Sequence, residues 1–109
     1  MSPLDYYVLL ALSSGPLYGY AIKDAVAAKS QGTVAPRAGS QYRVIGRFMS
    51  DGLVKEVDPA GEVEPHPGRA RKYYALTGAG RAELLSETRR LKGAAAMAEK
   101  RLGIASGRS

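Results

Sequence analysis

The chain has 109 residues, a length that suits one domain with a modest hydrophobic core. Lysine and arginine number 16 against 10 acidic residues, and the resulting net charge of +6 favours a polyanion as partner. The absence of cysteine excludes disulfides, thiolate metal sites and cysteine nucleophiles, and the one histidine stands between two prolines, so the sequence offers little support for an enzyme.

The first predicted element is a helix that begins after Ser2 and runs to about Ser13. Ser2 is a capping residue, Pro3 suits the first helical position, and Asp5 favours the positive end of the helix. Apolar side chains occupy nearly every side of this helix, which a surface helix of a monomer does not tolerate. We therefore expect it to pack in its own core and against a second subunit. The residues expected to face that subunit are Tyr6, Leu9 and Leu10.

A second helix is predicted from near Leu17 or Tyr18 to about Lys29. Its apolar side chains recur at the spacing of one helix face. Residues 33–37 are predicted to be extended, because Pro36 restricts the residue before it and does not fit inside a helix. The order helix, connection, helix matches a loose helix-turn-helix.

A third helix is predicted over residues 40–51, with Ser40 as its cap and Gly52 in the left-handed position after its end. Helical spacing predicts an apolar side opposite a narrow exposed face that carries Arg43 and Arg47. The side predicted to be apolar contains Tyr42, Val44, Ile45, Phe48 and Met49.

A helix of this size with two exposed arginines has the chemistry to enter a DNA major groove, where arginine can bind guanine with two hydrogen bonds. A solvated face is the commoner explanation for exposed arginines on a helix taken alone. The neighbouring elements therefore decide between the two interpretations.

Residues 53–57 and 71–76 predict two short antiparallel strands joined by a loop rich in proline and glycine, which together form a wing over about residues 53–76. The two-residue period of a strand points Tyr74 and Leu76 to the core and Tyr73 outwards. A basic cluster, Arg69, Arg71 and Lys72, lies where the loop returns to the domain, and it is either a phosphate contact or a solvated strand end.

Thr77 is predicted to cap a last helix that begins near Gly78 and runs to about Leu102. The helix is too long for a domain of this size to bury its whole apolar side. Its leucines and alanines recur at near-heptad spacing. Residues 78–103 are thus predicted to be a dimerisation helix, residues 1–77 a DNA-binding domain and residues 104–109 a flexible tail. The predicted dimer contacts of this helix are Leu84, Leu91, Ala95, Ala98 and Leu102.

Three segments taken together resemble the short PadR-type transcriptional regulators, which are winged helix-turn-helix proteins. They are LLALSSGPLYGYAIK at residues 9–23, GSQYRVIGRFMSDGLV at residues 39–54 and GRARKYYALTGAGRAEL at residues 68–84. The resemblance implies a fold that is mainly α with a small β-hairpin, and a homodimer whose C-terminal helices pack with the N-terminal helix of the partner.

The resemblance also implies that DNA is read by the helix after the GSxY motif. The residues to which this role transfers are Ser40, Gln41, Tyr42, Arg43 and Arg47, with Arg69, Arg71 and Lys72 at the wing. Arg43 stands where the family commonly has proline, and Gly46 where a basic residue is frequent. We therefore expect an operator that differs from those of other members.

From these features we expect a homodimeric, sequence-specific regulator that binds double-stranded DNA at an inverted repeat. We expect it to act as a repressor. We expect it to be cytoplasmic, with no cofactor, no metal and no membrane partner. The alternative is a winged-helix module that binds a protein or RNA and has only nonspecific affinity for nucleic acid. Family members often respond to apolar or aromatic ligands, and although Tyr6, Tyr7 and Met97 could line an interface pocket, such residues are more often core, and no effector is identified.

Overall fold

The computed structural model describes residues 1–58 and 72–103, and within them the chain forms four helices and three strands. The predicted wing loop, with Arg69 and Arg71, and the predicted tail at residues 104–109 lie outside the described residues. In chain order the elements are α1 (Pro3–Leu12), β1 (Leu17–Tyr18), α2 (Gly19–Lys29), α3 (Ala38–Ser50), β2 (Val54–Val57), β3 (Tyr73–Leu76) and α4 (Gly78–Leu102).

Two helices begin with side-chain caps at the residues that the sequence predicted. The Ser2 hydroxyl accepts a hydrogen bond from the Asp5 amide at 3.1 Å, and the Asp5 carboxylate accepts one from the Ser2 amide at 3.3 Å. The Thr77 hydroxyl accepts a hydrogen bond from the Gly80 amide at 3.0 Å and so caps α4. Each cap satisfies amides that the first turn of a helix leaves without a partner.

The sheet has the antiparallel order β1-β3-β2, so the predicted hairpin is joined by a third strand. Tyr74 of β3 lies opposite Leu17 on one side and opposite Glu56 on the other. The short strand β1 occupies Leu17–Tyr18, and α2 begins after it at Gly19. As predicted, Tyr74 and Leu76 point to the core, whereas Tyr73 is half-buried and its ring packs edge-on against that of Tyr18.

The hydrophobic core lies where α1, α2 and α3 pack against the sheet. α1 contributes most to it, because Val8, Leu9, Ala11 and Leu12 are all buried. The buried hydrophobic residues of the other elements are Ile22, Val26, Val44, Ile45, Phe48, Val54, Tyr74 and Leu76. This arrangement confirms a mainly helical fold with a small antiparallel sheet.

α4 packs on this core only through its beginning. Leu84 is partly buried against the core, and the hydroxyl of Thr88 lies 2.8 Å from that of Tyr6 in α1. Beyond Thr88 almost every residue of α4 is exposed in the single chain. No helix in the described part of the chain combines the length and the apolar character that crossing a membrane requires.

Candidate nucleic-acid interface

The helix predicted to read DNA is α3, and it begins earlier than predicted. Its N-cap is Arg37, whose side chain makes no capping hydrogen bond, so the predicted range 40–51 and the role of Ser40 as cap are wrong. Ser40 lies in the first turn of α3 and is half-buried. Because Arg37 is not a residue that caps helices, no capping residue in the sequence marks this start.

The end of α3 matches the prediction. Gly52 has a φ of +77°, and its amide donates to the carbonyl of Met49 at 3.1 Å. The next amide, that of Leu53, donates to the carbonyl of Phe48 at 2.8 Å. These two hydrogen bonds form the Schellman motif, which turns the chain from α3 directly into β2.

The two sides of α3 differ sharply in burial. Its inner side consists of Gln41, Val44, Ile45 and Phe48, all buried. Opposite them lies a surface that we call the free face of α3, formed by Gly39, Tyr42, Arg43, Gly46 and Ser50. The placement of Tyr42 and Met49 on the apolar side is wrong, because Tyr42 is 56% exposed and Met49 is 38% exposed.

Gln41 is directed away from the free face, with only 4% of the residue exposed. Its Nε2 donates to the carbonyl of Gly19 at 2.9 Å, and its Oε1 is buried without a partner among the described residues. We therefore correct the assignment of Gln41 to the DNA contacts. The side chain instead links α3 to the first residue of α2.

Tyr42 contacts the same part of α2 from the exposed side. A Cβ atom built at Gly19 would lie 3.0 Å from the Tyr42 hydroxyl, so glycine at this position leaves room for the tyrosine. Gln41 and Tyr42 thus hold the start of α2 from two sides.

Arg43 is exposed on the free face and forms no ion pair with any described residue. Its Nη2 donates to the hydroxyl of Ser40 at 3.4 Å. A hydrogen bond of this length is weak, so no described residue holds the guanidinium strongly.

Arg47 differs, because it is paired within the chain. Its Nη2 lies 2.6 Å from Oδ1 of Asp5, in the first turn of α1, and its guanidinium lies 5.3 Å from the centre of the Phe48 ring. Burial would raise the pKa of Asp5, but hydrogen bonds from Arg47 and Ser2 and the charge of Arg47 outweigh it, so the pKa lies below its ordinary value. Nothing local in the sequence indicates this contact, since the two residues lie far apart in the chain.

Lys72 belongs to the predicted basic cluster at the wing and lies within the described residues. It is exposed and immediately precedes β3. Arg69 and Arg71 lie outside the described residues.

The predicted dimer contacts divide into two groups. Leu9 has no exposed surface in the single chain, so we correct its assignment: it belongs to the core of its own subunit. Tyr6, Leu10 and Leu84 are half-buried, and Tyr6 also packs edge-on against Tyr7. The predicted contacts in the far half of α4 are exposed, as is Met97. These contacts are Leu91, Ala95, Ala98 and Leu102.

The sequence model of the transcriptional regulator PadR-like family matches residues 8–86, more than half of the chain. No match was found among curated proteins. Among solved structures, a PadR family transcription regulator from Clostridium difficile R20291 has a TM-score of 0.74 and 24% identity, over 93% of this chain and 99% of that one. A PadR-like transcriptional regulator from Bacillus cereus has a TM-score of 0.74 and 22% identity, over 91% and 90%.

The fold is also similar to that of the PadR protein of Bacillus subtilis, whose structure was solved in complex with operator DNA. The TM-score is 0.68 and the identity 22%, over 81% of this chain and 46% of that one. These similarities confirm the predicted winged helix-turn-helix architecture.

Proposed function

The chain belongs to the transcriptional regulator PadR-like family, and from this premise we propose that it is a homodimeric repressor that reads an inverted-repeat operator with α3. Residues 1–77 form the DNA-binding domain in this proposal, and α4 forms the dimer. The similarity in fold to the Bacillus subtilis protein that binds operator DNA supports DNA as the partner.

The free face of α3 is the observation on which the proposal chiefly rests. The helix is anchored on its inner side by three buried apolar residues and on α2 by Gln41, so its opposite side projects as a rigid surface. Gly39 and Gly46 have no side chains, so the surface is flat at these positions, and Tyr42 and Arg43 flank them. A flat surface with a guanidinium that forms no ion pair with the described residues suits the major groove, which admits one helix and offers guanine acceptors.

Arg43 is the proposed base contact, because its guanidinium has no competing ion pair in the described residues. Ser40, Tyr42 and Arg47 lie nearer the edges of the free face, where the walls of the groove carry phosphates. At the wing, Lys72 is proposed to contact phosphate, and the same role is proposed for the other two basic residues of its cluster. These are Arg69 and Arg71.

The far half of α4 supports a dimer. Its exposed Leu91, Ala95, Ala98 and Leu102 follow a near-heptad spacing along one side of the helix. A second copy that packs there would bury surface that a single chain leaves in water. Two copies related by a twofold axis would present two α3 helices, which fits an inverted repeat with half-sites about one helical turn apart.

The test is fluorescence anisotropy with the DNA upstream of the gene for this protein and with a shuffled duplex of equal composition, at two salt concentrations. We expect preferential binding to the native fragment, weakened by salt. Arg43→Ala should weaken operator binding by roughly 1–3 kcal/mol and relax specificity, whereas Lys72→Ala should weaken binding to both duplexes alike.

Equal binding to both duplexes calls for a selection from random DNA, because the operator can lie elsewhere. If no selected sequence is preferred, the regulator proposal fails and the alternative of a protein or RNA partner leads. Repression itself is tested with a reporter gene behind the bound fragment. Expression of the reporter should rise when the protein is removed.

A further inference from the structure

Asp5 holds a fixed position beside α3. One oxygen of its carboxylate accepts the Ser2 amide of the α1 capping box, and the other lies 2.6 Å from Nη2 of Arg47. The Asp5 side chain is 14% exposed, so its charge is largely shielded from water. A carboxylate held by a helix cap and mostly buried is a rigid partner rather than a mobile surface charge.

The ion pair holds the guanidinium of Arg47 at one edge of the free face and compensates its charge. At 100° per residue, Arg47 lies at the edge of the free face that is nearer to α1, and its side chain is 52% exposed. The guanidinium is therefore within reach of DNA that approaches α3. Its positive charge, however, is already compensated by a carboxylate in contact with it.

If Arg47 turned to a DNA phosphate, Asp5 would lose its ionic partner while remaining mostly buried. Breaking such a pair is costly because the remaining charge is poorly solvated. The negative charge of Asp5 would then also face a polyanion. A DNA acceptor must therefore be well placed before it can compete with Asp5 for this arginine.

We propose that Asp5 controls when Arg47 contacts DNA, because it holds Arg47 in an ion pair that operator DNA displaces and other DNA does not. This inference rests on the proposed function, since it needs an operator. In the resting protein and on nonspecific DNA, Asp5 and Arg47 together act as a neutral pair. On the operator, Arg47 gains an acceptor in register and adds its charge to the complex.

The test is Asp5→Asn, which removes the charge but keeps an oxygen that can accept the Ser2 amide. Freed of its partner, Arg47 should contact phosphate on any duplex. The slope of log affinity against log salt for shuffled DNA should become steeper by about 0.9, the value for one more neutralised phosphate. Affinity for the shuffled duplex should rise about 3-fold to 10-fold. Affinity for the operator should rise at least as much, because binding no longer has to break the ion pair.

Two further variants separate this effect from general ones. In an Arg47→Ala background, Asp5→Asn should leave both the salt slope and the ratio of affinities unchanged. Asp24→Asn makes the same chemical change at an exposed site on α2, and it should leave the salt slope on shuffled DNA unchanged. Thermal unfolding of each variant checks that the fold is intact. A merely structural role of Asp5 would lower stability without steepening the salt slope.

The proposal is overturned if Asp5→Asn leaves the slope on shuffled DNA unchanged, or changes it equally with and without Arg47. If this variant does not fold, NMR of the wild-type Asp5 carboxylate decides. Its signal should move when operator DNA is added and stay in place with shuffled DNA, and equal responses would overturn the inference. Wild-type protein that prefers no duplex would instead refute the proposed function.

Discussion

The two halves of α4 have the same backbone conformation but opposite surroundings. Its beginning is held by Thr77, whose hydroxyl donates to the carbonyl of Gly52 at 2.6 Å and accepts from the amide of Gly80. The Thr77 amide also donates to the carbonyl of Leu53. Beyond Thr88, over a length of about 20 Å, the helix contacts little of its own chain.

The two halves therefore differ in what holds them in place. The first half is fastened to the turn that connects α3 and β2 by the hydrogen bonds of Thr77. The second half has apolar residues but no core to place them in, and an isolated helix of this length is only marginally stable in water. A second copy of the chain is the partner that we propose for it. The predictions that follow test the two halves against each other.

The largest effect is expected at Gly80, in the first half. A Cβ atom built there would lie 2.1 Å from the carbonyl oxygen of Leu53, so Gly80→Ala must push α4 away from the turn. We expect a loss of about 3 kcal/mol or more in the free energy of unfolding, measured by denaturant titration at fixed protein concentration. Gly78→Ala, where a Cβ would meet nothing within 4 Å, is the matched control. Equal stability of the two variants would show that the start of α4 is not closely packed.

The next effect is expected in the second half. Ala95→Glu places a charge in the middle of the proposed dimer surface and should weaken dimerisation by at least about 2 kcal/mol, because the charge would be buried without a partner. The control is Ala96→Glu, the same change at the next residue, which faces about 100° away. Sedimentation equilibrium measures both. If neither variant alters the monomer–dimer equilibrium, the dimer uses another surface.

A smaller effect is expected from removing the hydroxyl of Thr77. Thr77→Val keeps the shape of the side chain but loses the cap of α4 and the hydrogen bond to Gly52, which should cost about 1–2 kcal/mol of stability. Thr77→Ser should recover most of this loss, since it restores the hydroxyl. A failure of serine to rescue would mean that the methyl group, rather than the cap, stabilises this end of the helix.

Helix ends were predictable from the sequence wherever a local signal marks them. Ser2 and Thr77 cap their helices, and Gly52 terminates α3, because each acts on backbone groups only a few residues away. The start of α3 was misplaced because Arg37 carries no capping group. Strand β1 was missed because a strand of two residues is too short to show the alternation of apolar and polar side chains. Its partner in β3 also lies more than 50 residues later in the chain.

The candidate site was predicted less completely for the same reason. The polarity of Gln41 predicts an exposed side chain, but the residue is buried, and its Nε2 donates to the carbonyl of Gly19 on another helix. The pairing of Arg47 with Asp5 likewise joins residues whose proximity depends on how α1 packs on α3. Helical spacing located the free face correctly at Arg43 and Gly46, because that signal is local to α3.

The smallest stability effect, and the sharpest test of the free face, is expected from two exposed glycines. Gly46 lies on the free face of α3, whereas Gly93 lies in the far half of α4, on the side of the helix opposite the proposed dimer contacts. A Cβ atom at either position would meet nothing within 4 Å. Within a helix, alanine should therefore stabilise the protein by up to about 1 kcal/mol at each site.

The two variants should differ only when DNA is added. Gly93→Ala should raise the melting temperature and leave operator affinity unchanged. Gly46→Ala should raise the melting temperature similarly but weaken operator binding, because the added methyl group would separate the free face from the groove. A loss of affinity in a more stable protein cannot come from damage to the fold. If Gly46→Ala instead binds the operator as tightly as the wild type, then α3 does not approach DNA closely at this residue.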